Sequence, residues 1–324
     1  NMINALLKHC TIIKSLQRTL AIVCLFALFV TPSAFSQVTI ATTGSYSQNF
    51  DGLISTGSAT WTDNTTIANW YAQRTGAGTT VVANDGASNS GALYSYGTTA
   101  ATERALGTVG SGTPGHFAYG ILLQNNSGAT ITDIKVTYTM EQWRNSAAAA
   151  QTVSFYYKTS ATTFTALNPN SNGTWTSVAA LNATTPITGG TSGALNGNLG
   201  TNQVSLSNIA IPSLSLANGS FIMLKWDDPD NSGADHGISI DNVTISWTAT
   251  PTSTATLANI TQPSGSITQG TTDAILSGFT LSADVASDFT SVTVSTTGTA
   301  TSTDISNVRI FSDLDGNGAI NGAD

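Results

Sequence analysis

Cysteine is missing from most of this chain. The two cysteines, Cys10 and Cys24, both lie in an amino-terminal segment with the pattern of an export signal, so the exported portion would have none. Disulfide bonds and thiolate metal sites are thereby excluded from that portion. Some 288 of the 324 residues follow the segment 1–36, and a domain of that size without cross-links must be stabilised by its core.

Charge is also scarce. Only 9% of the residues are charged, and the formal net charge is −8. Lys8, Lys14 and Arg18 would leave with the export signal, so that seven Lys and Arg would remain against eighteen Asp and Glu, a net charge of −11. An acidic surface without a basic stripe repels phosphate backbones, which argues against a nucleic-acid partner.

Glutamate is limited to Glu103 and Glu141, and each is followed closely by an arginine, Arg104 or Arg144. This arrangement favours two buried structural ion pairs. The alternative is a glycosidase, which requires two carboxyl groups about 5–5.5 Å apart if it retains configuration. Nothing in the spacing of the two glutamates indicates that they meet.

Other catalytic patterns are absent as well. His236 follows Asp235 and could serve as a hydrolase base, yet the sequence contains no G-x-S-x-G motif and no exported cysteine nucleophile. A histidine cluster with zinc spacing and a Gly-Lys phosphate loop are also missing. We therefore expect His236 to be a structural histidine, and we predict no catalytic residues.

The amino terminus predicts export. Three basic residues precede the apolar run 20–30, and Ala34-Phe35-Ser36 offers small residues for cleavage before Gln37. The alternative is a retained signal anchor, although the run is short for a membrane span. We predict a signal peptide over 1–36, no membrane span after its cleavage, and a secreted or cell-surface location.

Alternating apolar and polar residues predict an all-β fold, since successive side chains of a strand point to opposite faces. The apolar positions that share a face are Phe117, Tyr119, Ile121 and Leu123, then Ile134, Val136, Tyr138 and Met140, then Val153, Phe155 and Tyr157. A phase slip at Asp241-Asn242 predicts a β-bulge. Many strands separated by turn signals favour a jelly-roll-like β-sandwich over 37–248.

A polar stretch with one proline predicts a linker at 249–254. The remaining residues, 255–324, predict a smaller Ig-like β-domain of about four strands, which is few for a closed sandwich. We therefore expect this second domain, and the chain itself, to be truncated. The last of the four predicted strands lies at 308–311.

The last twelve residues have the spacing of a calcium loop, with oxygen donors placed around a central glycine. The predicted ligands are Asp313, Asp315, Asn317, the carbonyl of Ala319, Asn321 and Asp324. Gly318 permits the turn with positive φ. The segment resembles dockerin or thrombospondin type 3 loops more than an EF-hand, because a strand is predicted before it. The alternative is a metal-free surface turn rich in Asp and Asn.

The sequence also predicts a second calcium site. Asp228, Asp230 and Asp235 lie in an acidic loop, and Asp241 follows in the next predicted strand. Neighbouring carboxylates repel one another unless a cation or a basic side chain lies among them. The alternative is a solvated hairpin loop, which the Asp, Asn and Gly content also favours.

Several segments of the first domain carry a family resemblance. They are Phe50-Asp-Gly-Leu53, Asn69-Trp-Tyr-Ala72, Gly91-Ala-Leu-Tyr-Ser-Tyr-Gly97, Glu103-Arg-Ala-Leu-Gly107, Glu141-Gln-Trp-Arg144, Leu195-Asn-Gly-Asn198 and Asp235-His-Gly-Ile-Ser-Ile-Asp-Asn242. Over about residues 45–247 the chain resembles an amino-terminal module of large secreted proteins of Bacteroidota-type bacteria. The resemblance implies a module without assigned catalysis beside lamin-tail, nuclease or Ig-like domains. The carboxy-terminal end of this first domain also resembles the last strand of carbohydrate-binding jelly rolls, where an Ile-Asp-Asp/Asn-Val segment often lies near a structural calcium.

Aromatic residues in turn-rich segments form the remaining clue: Trp61, Trp70, Tyr71, Tyr94, Tyr96, Trp143 and Trp175. Exposed rings could stack on sugars, although aromatic residues are more often part of a core.

Three functions follow as hypotheses. The preferred one is a non-catalytic, calcium-stabilised module for adhesion, scaffolding or glycan contact, with a glycan or a surface protein as partner. The others are an accessory region of an extracellular hydrolase and a glycosidase that uses Glu103 and Glu141.

Overall fold

The computed structural model describes residues 37–249 without a gap, together with 255–259, 264, 266–268, 270–271, 275, 277–283, 291, 293 and 309–312. The chain divides into two compact units, 1–250 and 251–324, and this division falls inside the predicted linker. The predicted export signal lies outside the described residues. Among the residues that are described, no helix is long and apolar enough to cross a membrane.

The described part of the first unit, 37–249, contains sixteen strands and two short 3₁₀ turns, Ala179–Leu181 and Gly200–Asn202. The strands are β1 (Val38–Ile40), β2 (Gly44–Gln48), β3 (Ser58–Thr60), β4 (Trp70–Arg74), β5 (Thr80–Asn84), β6 (Ala92–Tyr96), β7 (Ala105–Val109), β8 (Phe117–Asn125), β9 (Asp133–Asn145), β10 (Thr152–Ser160), β11 (Thr176–Ser177), β12 (Ala183–Thr184), β13 (Gly193–Ala194), β14 (Gln203–Ala210), β15 (Phe221–Asp228) and β16 (Gly237–Thr248). The predicted all-β class is confirmed.

These strands form two sheets. The seven-stranded sheet has the order β1-β8-β15-β10-β11, with β4 beside β8 and β12 beside β10. The nine-stranded sheet has the order β13-β9-β16-β7-β6-β5-β3, with β14 beside β9 and β2 beside β16. Most neighbours are antiparallel, and the β1–β8 and β5–β6 pairs are parallel.

The main hydrophobic core lies between the two sheets. The apolar positions predicted from the alternation in β8, β9 and β10 all belong to it, while Lys135, Thr137 and Thr139 alternate with them and are partly exposed. Trp226 of β15 joins the sheets: its ring centroid lies 5.6 Å from that of Trp70 and 5.5 Å from that of Tyr138. The predicted β-sandwich is therefore confirmed.

The bulge predicted at Asp241-Asn242 is also present. The pairing of β16 with β9 shifts register between Asp241 and Thr244, and Asn242 has a φ of 51°. The shift keeps Ile238 and Ile240 before the bulge, and Val243 after it, in the core. The second neighbour of β16 also changes there, from β7 to β2.

The second unit contains one described sheet, in which β17 (Ala255–Asn259) pairs antiparallel with β18 (Phe279–Ala283). Its large apolar side chains are exposed, Leu257 by 65% and Leu281 by 44%. The strand predicted at 308–311 is wrong for its described part, because 309–312 have no regular secondary structure. The Ig-like fold and the truncation stay predictions.

Candidate metal centre

Three carboxylates meet on the outer face of the nine-stranded sheet. Glu141 of β9 lies opposite Ser239 of β16, and Asp241 shares the face of Ser239 because it is two residues further along the strand. Glu103 comes two residues before β7, the strand that pairs with β16 on its other side. One carboxylate oxygen of each acid lies within 4.8 Å of one from each of the others. We call these three residues the acidic triad.

The triad is largely closed to solvent. Glu141 is 1% exposed and Asp241 is 3% exposed, whereas Glu103 is half-buried. The Oε2 atom of Glu141 accepts a hydrogen bond of 2.8 Å from the indole Nε1 of Trp143, and its Oε1 accepts one of 3.2 Å from Gln203. Asn198 donates to Glu103 Oε2 at 2.5 Å.

Burial makes the charged form of this triad costly. It raises the pKa of Asp241 from 3.8 to about 8, and the negative charges of Glu141 and Glu103 add to the increase. It raises the pKa of Glu141 from 4.5 to about 7, although the hydrogen bond from Trp143 opposes this. Without a cation, burial therefore favours the protonated forms of Asp241 and Glu141.

The donor set fits a hard divalent cation. Oδ2 of Asp241 accepts a hydrogen bond of 2.6 Å from Asn242, but Oδ1 is buried and has no partner. A buried, unpartnered oxygen costs free energy, which a bound cation would recover. Among the described residues, no lysine or arginine forms an ion pair with any triad member. Calcium takes six to eight oxygen ligands, so the triad would supply part of the shell.

Trp143 covers the triad from the side. Its ring stacks on that of Tyr96, with centroids 5.9 Å apart and planes 7° apart. Gly197 lies against the same indole, where an added Cβ would come within 2.3 Å of Nε1. Only glycine allows this close approach. The segments that carry the family resemblance thus supply both the triad and its cover.

Two of these segments, 50–53 and 103–107, are joined to each other by a hydrogen bond. Asp51 Oδ1 accepts a hydrogen bond of 3.0 Å from the backbone N–H of Arg104. The Arg104 guanidinium, which is buried, donates to the Ser95 hydroxyl at 2.9 Å and to the Ser95 carbonyl. Arg104 therefore fixes the start of β7, and with it the position of the neighbouring Glu103.

The predicted ion pairs Glu103–Arg104 and Glu141–Arg144 are wrong. Within the described residues, ion pairs are limited to Lys135–Asp133 and Lys225–Asp227. Arg144 donates to the carbonyls of Gly86 and Ala87 instead. For Glu141 and Arg144 the physical reason is that residues an odd number of positions apart on a strand point to opposite faces. For Glu103 the reason is that the Arg104 guanidinium donates its hydrogen bonds to Ser95. The two glutamates, which were not expected to meet, do meet.

The predicted second calcium set is divided by the structure. Asp241 belongs to the triad, and Asp228, Asp230 and Asp235 remain near the loop before β16. Asp228 Oδ2 accepts a hydrogen bond of 2.5 Å from Thr108, and Asp235 Oδ1 accepts bonds from Gln151 and Asn231. Within the described part of the chain, the triad alone groups three metal-ligating side chains so closely. The division follows from the position of each residue in the fold. Asp241 lies on the outer face of β16 in the nine-stranded sheet, whereas Asp228 ends β15 of the seven-stranded sheet, and Asp230 and Asp235 lie between these two strands.

His236 and the aromatic residues of the turn-rich segments are buried. His236, which was expected to be a structural histidine, is fully buried: Nδ1 accepts a hydrogen bond of 3.0 Å from the backbone of Ser146, and Nε2 lies 3.2 Å from the Ala149 carbonyl. Burial lowers its pKa. The idea of an exposed aromatic surface is wrong, since all of its members are buried: Trp61, Trp70, Tyr71, Tyr94, Tyr96, Trp143 and Trp175. These side chains pack in the main core and in the two smaller outer clusters.

The predicted calcium loop, with Asp313, Asp315, Asn317, Ala319, Asn321 and Asp324, lies outside the described residues. The triad, in contrast, was missed as a set by sequence reasoning. Its members are 38 and 100 residues apart along the chain. The sequence feature that could have indicated the triad is that each of its members lies in one of the segments that carry the family resemblance.

The chain matches no protein-family model and no curated protein. Among solved structures it is similar to TmCBM61 in complex with β-1,4-galactotriose, at 12% identity over 45% of this chain and 71% of that chain, with a TM-score of 0.23. It is also similar to the CBM22-1 xylan-binding domain of Paenibacillus barcinonensis Xyn10C, at 8% identity over 65% and 99% of the two chains, with a TM-score of 0.28. A third is the K1 cleaved adhesin domain of Lys-gingipain from Porphyromonas gingivalis W83, at 13% identity over 62% and 97%, with a TM-score of 0.28. Similarity at these TM-scores assigns no ligand to this chain.

Proposed function

We propose that residues 37–249 form a non-catalytic module of an exported protein, in which a calcium ion bound by the acidic triad stabilises the sandwich. One observation carries the proposal: the buried Asp241 Oδ1 has no hydrogen-bond partner and belongs to a cluster of three carboxylates. A cation satisfies this oxygen and also removes the repulsion among the carboxylates. The loop 313–324 stays a proposal for a second calcium site.

The same geometry argues against catalysis by Glu103 and Glu141. Their separation suits a pair of catalytic carboxyls, and the raised pKa of Glu141 is also a common feature of active sites. A sugar would have to reach Glu141, however, and this residue is 1% exposed beneath Trp143. A desolvated ion can occupy such a place and a polysaccharide cannot, so the triad is structural.

Calcium titration calorimetry of the protein tests the proposal. We expect two sites, the triad and the loop 313–324. Asp241→Asn or Glu141→Gln should remove one site, or weaken it by at least about tenfold because the site loses ligand charge. Asp313→Ala with Asp315→Ala should remove the other site. Asp133→Asn, a change at a surface ion pair, is the matched control. A calcium isotherm that does not respond to the triad variants would contradict the proposal.

Glycan contact is the second candidate role, and a cleft at the edge of the seven-stranded sheet favours it. The cleft has a volume of 310 Å³ and is lined by Tyr157, Lys158, Thr159, Thr174, Thr176, Ser213, Leu214 and Ser215. Hydroxyl groups and one ammonium can bond sugar hydroxyls, and the size suits a short ligand segment. These eight residues include no carboxylate and no histidine, so the cleft can bind but lacks an acid–base pair.

A glycan array, followed by affinity measurements on the best ligand, tests this role. Replacing Lys158 and Thr176 together by alanine removes two hydrogen-bonding groups, and we expect an affinity loss of at least about tenfold. Lys135→Ala, which removes an exposed lysine of the other sheet, should leave the affinity unchanged. Equal binding by the double variant and the parent would exclude this cleft as the site.

A further inference from the structure

A lysine is buried on the outer face of the seven-stranded sheet. Lys225 of β15 alternates with Leu224 and Trp226, which belong to the main core, so its side chain points the other way. It is nevertheless 0% exposed. The segment between β10 and β11 covers it and contributes Leu167 and Trp175 to a small apolar cluster there, together with Tyr71, Ala118, Leu122 and Met223.

The amine of Lys225 lies against the side-chain amide of Asn172 in the covering segment. The distance from Nζ to Asn172 Oδ1 is 2.5 Å, shorter than an ordinary hydrogen bond of this type. The carbonyl of Leu167 lies 3.2 Å from Nζ, and the ring centroid of Trp175 lies 4.2 Å from it. The amine and the side-chain amide are therefore neighbours, at a place where Lys225 and Asp227 are buried and Asn172 is partly exposed.

Asp227 contacts both reacting groups. It is two residues from Lys225 on β15 and therefore shares its face of the sheet. Its Oδ1 lies 3.8 Å from Lys225 Nζ, and its Oδ2 accepts a hydrogen bond of 2.8 Å from Asn172 Nδ2. One oxygen of the carboxylate thus faces the amine, and the other faces the nitrogen of the amide.

We propose that Lys225 and Asn172 form an intramolecular isopeptide bond, with Asp227 transferring the proton. The product is a side-chain amide that joins the covering segment to β15. Nothing from outside the protein is consumed, and one ammonia is released. The bond would give this cysteine-free exported domain a covalent cross-link.

The reaction balances with these three side chains alone. The neutral Lys225 amine attacks the Cγ carbon of Asn172, and a C–N bond forms as the carbonyl opens. Asp227 accepts one proton from Nζ and gives it to Nδ2, the carbonyl reforms, and the original C–N bond breaks. The nitrogen of Asn172 leaves as ammonia, Nζ keeps one hydrogen, and Asp227 is again a carboxylate.

The surroundings favour each requirement of this step. Burial lowers the pKa of Lys225 from 10.5 to about 8, although the charge of Asp227 opposes the change, so part of the amine is neutral and nucleophilic near neutral pH. Holding the amine against the amide replaces a bimolecular encounter by a local one. Amide formation also removes a buried positive charge, whose desolvation is costly.

Intact mass spectrometry of the purified protein tests the proposal. We expect the parent protein to be lighter than its sequence mass by about 17 Da, the mass of one ammonia. Digestion should yield a branched peptide that joins the Lys225 and Asn172 segments. Lys225→Met, Asn172→Ala and Asp227→Asn should each have the full sequence mass. Lys158→Met is the matched control, because Lys158 contacts the same segment through Thr174, and it should keep the loss.

Two other reactions release ammonia and need to be separated from this one. Asn172 precedes Gly173 and can cyclise to a succinimide, and an amino-terminal Gln37 can cyclise after signal cleavage. Either loss would survive in Lys225→Met and would give no branched peptide. If Lys225→Met fails to fold, Asp227→Asn provides the same comparison with both reacting side chains present. A Lys225→Met variant whose loss from its own sequence mass equals that of the parent protein, or a digest without the branched peptide, would overturn the proposal.

Discussion

Asp241→Asn is expected to stabilise the calcium-free protein at pH 8 and to abolish its stabilisation by calcium. In the folded state, burial raises the pKa of Asp241 from 3.8 to about 8 and that of Glu141 from 4.5 to about 7. A folded protein that binds more protons than its unfolded chain loses stability as the pH rises. The loss begins near pH 4, is complete near pH 8, and is on the order of several kcal/mol.

Calcium should reverse this pH dependence, because it binds the ionised triad. Thermal unfolding with a chelator should give a Tm that falls between pH 5 and pH 8, and calcium should raise the Tm most at pH 8. Asparagine at 241 carries no charge to be desolvated, so this variant should lose the stabilisation by calcium and should show a smaller fall of Tm with pH. The part of the fall that Glu141 and the buried Asp228 cause should remain. Asp133→Asn serves as the control, since Asp133 lies at the surface. A chelated protein whose Tm is constant over this range would contradict the burial of ionisable carboxyls here.

Trp226→Ala is expected to cause the largest loss of stability among single changes in the core. The side chain is fully buried between the sheets, and its ring centroid lies 5.0 Å from that of Phe155, in addition to its contacts with Trp70 and Tyr138. Removing a buried tryptophan leaves a cavity and costs about 3–5 kcal/mol. Because whole domains are stable by only about 5–15 kcal/mol, the variant should retain little stability.

Urea denaturation measures this effect. Leu199→Ala, at a leucine that is 53% exposed, is the control and should change the free energy of unfolding by less than about 0.5 kcal/mol. Trp226→Phe keeps part of the ring packing and should give an intermediate value if the alanine variant is unfolded from the start. A loss below about 1 kcal/mol in Trp226→Ala would show that the two sheets do not pack through this residue.

The strand pattern of the first domain could be predicted from the sequence because alternation has a local cause. A residue such as Tyr138 belongs to the core through the period of its own strand, and the slip at Asp241-Asn242 is visible without knowledge of any neighbour. The absence of cysteine after Cys24 likewise follows from the sequence alone. Such features depend on residues that are close together in the chain.

The acidic triad depends on the tertiary structure. Alternation shows that Glu141 and Asp241 point away from the core, but the pairing of β9 with β16 and the position of Glu103 before β7 bring them together. The same holds for Lys225 and Asn172, which are 53 residues apart and meet because a connecting segment folds over the sheet. Tertiary packing also explains why aromatic residues of turn-rich segments are buried. Several of them pack in two small clusters outside the main core.

The sequence by itself determined an all-β, acidic chain without cysteine after Cys24 and with a bulge at a defined place. The tertiary structure alone decided which side chains meet: the three carboxylates, and the lysine with its amide. The physical reason is that strand periodicity acts between adjacent residues, whereas sheet register and loop packing act between residues far apart in the chain.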